Sequence, residues 1–157
     1  MRSRTVRTLL AGTGVVVALA ALAGCTKPSP GASVFSGTVA VNTEAMCWSD
    51  TADAIDSHTC AEDMVASATS GKGAASVAVV PGDVIGISVD PAVADAGWSP
   101  VIGGNPIVQA PLHSTYFRFT YPELQPLPEG GLPLMIVAGD ANNMRGIWAY
   151  VLTPASE

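Results

Sequence analysis

Apolar positions are arranged in two ways along this chain. From Leu9 to Ala23 they form one continuous run of Leu, Ala, Val and Gly with a single Thr. Beyond residue 34 they come in short stretches broken by Gly, Pro and Asn. "FSGTVAVN" (35–42) reads as an early strand and "ASVAVV" (75–80) as a second. In "VIGISVD" (84–90), Ile85, Ile87 and Val89 fall on one face, the period of two expected of a half-buried strand. "PGD" at 81–83 is turn chemistry, with Pro fixing one dihedral and Gly supplying a positive one. "WSPVIGG" (98–104) and "NPIVQA" (105–110) flank a hairpin-like break. "STYFRFTY" (114–121) alternates Tyr116 and Arg118 against Phe117 and Phe119. "LPLMIVAG" (132–139) and "RGIWAYVL" (145–152), joined by "DANNM", close the chain.

About seven short strands at this spacing predict an all-β domain, an immunoglobulin-like sandwich of two sheets. No helix longer than two turns is expected after the N-terminal run. "YPELQPLPEGGLP" (121–133) carries four prolines and is no central strand. It reads as a crossover with Leu124 and Leu127 against the core, the alternative being a polyproline segment docked by a partner. Trp98 at the head of its strand reads as a core anchor with its indole N–H bonded to backbone. Trp48 is expected to pack on a neighbouring cystine.

The N-terminal run follows Arg2, Arg4 and Arg7, and no acidic residue precedes Glu44. A basic start, an apolar stretch and small residues at its end make a secretory signal. A spanning helix needs about 20 apolar residues, and this run is shorter and interrupted by Gly12, Thr13 and Gly14. Leu22-Ala23-Gly24-Cys25 resembles the bacterial lipoprotein lipobox. The resemblance implies a diacylglycerol on the Cys25 thiol and cleavage just before it. Two acyl chains suit the physics, since one alone binds membranes only marginally. The domain expectation is therefore signal 1–24, lipidated cysteine and flexible tether 25–33, and β-sandwich 34–157. Lys27 to Ser33, with Pro28, Pro30 and Gly31, carries the tether reading.

Loss of residues 1–24 removes three arginines and leaves four basic residues against 13 acidic ones, a net charge of −9. That sign repels phosphate backbones, so nucleic acid is not an expected partner.

Cys47 and Cys60 then form an even pair on the oxidising side of a membrane, which predicts a disulfide. Closing a loop of about 14 residues stabilises a fold by roughly 3 kcal/mol. The competing reading is a metal site at His58 and Cys60, but His113 is the only other histidine and four ligands are wanted. Asp50, Asp53 and Asp56 recur every third residue, which suits one solvated helical face with Asp50 as N-cap. That spacing does not fit a calcium loop.

From about Val39 onward the chain resembles an actinobacterial lipoprotein family classed as a domain of unknown function. The residues that carry the resemblance are "TVAVNTEAMCW" with Cys60, "VVPGDVIGISVDPAVADAGWSP", "STYFRFTY" and "GIWAYVL". It implies a lipid-anchored, β-rich envelope protein and no activity. No Gly-x-Ser-x-Gly elbow or phosphate loop stands in the chain, and the expectation is a non-catalytic protein without cofactor or metal. It would sit on the extracytoplasmic side of the cell membrane as a binding or structural module for an envelope protein or glycan. The alternative is a small-ligand or metal carrier, with His58, His113 or the aspartates at one rim.

The anchor reading has a direct test. Cys25→Ala should abolish lipidation and leave unprocessed or soluble protein. If the variant still sediments with membrane after an alkaline wash, a spanning helix is the better account.

Overall fold

β1 (Gly31–Ser36) is paired on both edges, and the first sheet grows from it. The computed structural model describes residues 27–155 apart from 52, 57, 63, 65–72, 123–126, 129 and 141. The expected export signal, Cys25 and Leu124 lie outside the described residues. β2 (Val39–Glu44) returns antiparallel along β1 after a turn at Gly37, whose φ of +55° suits a residue without Cβ. The stretch 35–42, expected as one strand, is therefore a hairpin, because Gly37-Thr38 is a turn inside it. β5 (Val84–Val89) pairs with the other edge of β1, and β8 (Tyr116–Thr120) pairs with β5. The order is β2-β1-β5-β8.

The second sheet is built on β10 (Met144–Pro154), the longest strand. β9 (Leu132–Gly139), β6 (Trp98–Ile102) and β7 (Asn105–Pro106) follow on one side, all antiparallel. On its other edge, β3 (Cys47–Trp48) pairs with Gly146 and Ile147. Further along that strand, β4 (Ala75–Val79) runs parallel to Tyr150–Pro154. A short helix, α1 (Pro91–Ala96), carries the chain from β5 in one sheet to β6 in the other, with proline in its first turn. It ends at Gly97, φ +76°.

The two sheets pack face to face. Val34, Ile85, Ile87 and Val89 from the first meet Val77, Trp98, Leu134, Ile136, Trp148, Tyr150 and Leu152 from the second, all buried. The alternation read at Ile85, Ile87 and Val89 holds. Trp98 is fully buried and its indole N–H donates to the Ser114 carbonyl at 2.8 Å. Leu127 of the proline-rich crossover packs against the core.

Three polar bonds cross between the sheets at the start of β1. Trp148 Nε1 donates to the Pro30 carbonyl at 3.0 Å, and the Tyr150 hydroxyl donates to the Ala32 carbonyl at 2.5 Å. Thr43 Oγ1 of β2 donates in turn to the Tyr150 oxygen at 2.9 Å. These bonds correct the expected tether. Pro30 is buried and residues 31–33 are strand, because backbone ladders ask little of side-chain composition.

Tyr150 and Tyr121 are both buried, yet only Tyr150 has hydroxyl partners among the described residues. Tyr150→Phe should lower stability by about 1–2 kcal/mol in urea unfolding, since it strands buried acceptors and donors. Tyr121→Phe should be neutral or slightly stabilising. Burial also raises the Tyr150 phenol above 10.0. Its contribution is therefore full below that pH and lost as pH rises through the raised value.

Candidate functional site

Because side chains alternate along strands, the four-stranded sheet turns one set inward to the core and another outward. Ala32, Val34, Ser36, Ile85, Ile87 and Val89 take the buried side. The opposite set forms rows across the sheet: Ala40, Phe35, Gly86 and Arg118 in one, and Asn42, Ser33, Ser88 and Tyr116 in the next. Phe35 is 37% exposed, Val84 51% and Tyr116 53%, so this face shows rings and an aliphatic side chain to solvent.

Gly86 shapes the middle of the face. A Cβ there would lie 2.8 Å from the Tyr116 hydroxyl oxygen and 3.3 Å from its ring, so the phenol lies across bare backbone. Around it stand short hydroxyls and an amide, with Asn42 Nδ2 donating to Ser33 Oγ at 2.8 Å. Arg118 is exposed and lies two strands from Phe35, a span of about 10 Å. It makes no ion pair among the described residues. Lys27 differs, pairing with Asp50 at 3.1 Å. So does Arg145, which donates to the Ser49 carbonyl at 2.9 Å and stands 5.4 Å from the Trp48 ring centroid.

The face also has a direction. The chain enters at Gly31 and β1 runs away toward Ser36. Phe35 and Val84 therefore lie toward the far end, while Lys27 and Asp50 stay by the entry.

The expected cystine is present. Cys47 on β3 is bonded to Cys60, with the Cα atoms 5.4 Å apart. Trp48, expected on the cystine, lies beside Trp148 with ring centroids 5.8 Å apart. The expected aspartate face is corrected. Helix begins only after Asp56, whose side chain accepts from the His58 and Thr59 amides at 2.9 Å, so Asp56 is the N-cap. Asp50 instead accepts from Lys27 Nζ and Trp48 Nε1, both at 3.1 Å. The sequence reading chose the first aspartate because spacing alone does not say where the helix starts.

His58 Nδ1 faces Glu62 at 3.5 Å, and His113 Nδ1 lies 3.2 Å from the Ala94 carbonyl beneath Gly97. Among the described residues no three His, Cys, Asp or Glu side chains are grouped to hold a metal ion. A cavity of about 250 Å³ lies beside the cystine, lined by Trp48, Ile55 and Asp56 among others. A cleft of about 330 Å³ lies between Ile102, Ile107, Phe119 and Tyr121. The Tyr121 hydroxyl is shut away from solvent, so that cleft presents the tyrosine's ring and not its polar end.

Comparison of the chain with family models, curated proteins and solved structures finds no match in any of the three. The case for function therefore rests on the geometry. The outward face was half legible: the Tyr116/Arg118 alternation is plain in "STYFRFTY", but Phe35 joins it only once Gly37-Thr38 is read as a turn.

Bonds from the Thr59 and His58 amides hold the Asp56 carboxyl below 3.8, and bonds from Lys27 and Trp48 do the same for Asp50. Their stabilisation is present above pH 3.8 and lost as pH falls through the lowered values. Carboxyl NMR titration should find both groups below that reference. Asp56→Ala should lower stability at neutral pH and less so in acid, as read by urea unfolding.

Proposed function

We propose that this chain is a lipid-anchored, non-catalytic binding module on the extracytoplasmic side of a bacterial cell membrane. Its binding surface is the outer face of the four-stranded sheet, and its partner there is a glycan. The observation that carries the reading is the Tyr116 phenol lying over Gly86 with the side chain half open to solvent, and Phe35 and short hydroxyl side chains beside it. Sugar rings offer apolar C–H faces to aromatic rings and hydroxyls to Ser, Thr and Asn. A protein partner is less well served, since the exposed apolar side chains here are few and separated by serines.

The anchoring half of the proposal rests on the basic start, the apolar run and the lipobox-like Leu22-Ala23-Gly24-Cys25, with the lipoprotein family resemblance beside it. The described fold begins at Pro30, only five residues beyond Cys25. On this reading the sandwich stands close to the bilayer.

We also read the sandwich as immunoglobulin-like. The order β4-β10-β9-β6-β7, with β4 parallel to the last strand, supports this, as does a buried tryptophan on β6. The cystine departs from the antibody pattern because it ties β3 to the helical turn that follows.

Affinity electrophoresis of the full chain in detergent tests the glycan reading. Soluble polysaccharide from a bacterial envelope should retard it. Tyr116→Ala should weaken retardation about tenfold, the scale of losing one aromatic anchor. Asp95→Asn, on α1, should leave it unchanged. Absence of retardation by any polysaccharide rejects the reading.

A further inference from the structure

We infer that the glycan bound on this face carries a carboxylate, and that Arg118 reads it. The inference rests on the glycan reading and narrows it to acidic polysaccharides. Three observations support it. First, Arg118 sits in one row with Phe35 and Gly86, so its guanidinium emerges at the border of the aromatic patch. Second, unlike those of Lys27 and Arg145, its side chain has neither an ion pair nor a hydrogen bond among the described residues, in a chain with 13 acidic residues to draw on. Lys27 and Arg145 are both engaged near the chain's entry to the fold. Third, the residues facing it across the sheet and next to it in the outward set are Gly86, Tyr116 and Thr120, none of them acidic.

An unpaired arginine beside an aromatic platform is suited to a carboxylate. Guanidinium offers parallel N–H donors that match carboxylate oxygens bidentately, and such charge-assisted bonds are roughly twice as strong as neutral ones. The sugar ring would stack on Tyr116 while the acid group reaches Arg118 at the edge strand. The remaining surface is acidic and repels polyanions elsewhere, so the positive point also fixes where the chain of sugars can lie.

The test compares two polymers with the same backbone: polygalacturonate and its carboxyl-reduced, neutral form. The full chain in detergent should bind the acidic polymer about tenfold or more tightly than the neutral one, with the preference shrinking as salt rises. Arg118→Gln should remove that preference while keeping the weak binding of the neutral polymer. Tyr116→Ala should weaken both. Equal binding of the two polymers, or a preference that survives Arg118→Gln, overturns the inference and leaves the glycan reading standing. Binding of neither polymer, together with no retardation by envelope polysaccharide, overturns both. Equal binding of dextran sulfate that survives Tyr116→Ala would mark simple anion attraction and overturn the inference as well.

Discussion

The fold depends on the bonds that β10 sends across the sandwich to the first residues of β1. Hydrophobic packing holds two sheets together without fixing where one lies on the other. The Trp148 indole and the Tyr150 phenol do fix it, because each must find an acceptor when buried. They find the carbonyls of Pro30, just before β1, and Ala32 within it, two residues apart just as Trp148 and Tyr150 are two apart on β10. The spacing of two on both sides is the strand period itself. Sliding β1 by one residue would turn Ala32 and Val34 outward and leave both donors buried without partners.

This constraint explains what the sequence could and could not say. Alternation marked β5 and β8, and short apolar runs bounded by turn residues marked β9 and β10. β1 was missed at its start. Pro28, Pro30 and Gly31 have the composition of a tether, and only partners more than a hundred residues away make this end of the chain part of the fold. Long-range acceptor demands leave no local mark. β3 was likewise invisible, being two residues held by a neighbour rather than by its own propensity, whereas the β6–β7 hairpin was read from the break between 98–104 and 105–110.

The proposed site was legible in fragments. Tyr116 and Arg118 stood out as the polar phase of an aromatic strand, but which phase faces solvent is decided by the opposite sheet. Gly86 drew no reading of its own within "VIGISVD". In the fold it is the flat ground on which Tyr116 lies, and a glycine inside a strand often marks such a close approach. Trp98, the most conspicuous aromatic, is wholly given to packing.

Rigidity connects the two halves of the molecule. A surface that recognises a sugar by stacking has to hold its ring in place, and sites on paired strands do so better than sites on loops. Phe35 and Tyr116 stand on strands separated only by β5, and β1 is the strand pinned to the second sheet through Trp148 and Tyr150. Lipidation at Cys25, as proposed, would attach the membrane to that same strand through only a few residues. On that geometry β1 is at once the link to the anchor, the register mark of the sandwich and one wall of the binding face. The protein would then present its face at a fixed height and attitude above the bilayer, which suits holding a polymer that runs along the envelope better than searching at the end of a long tether.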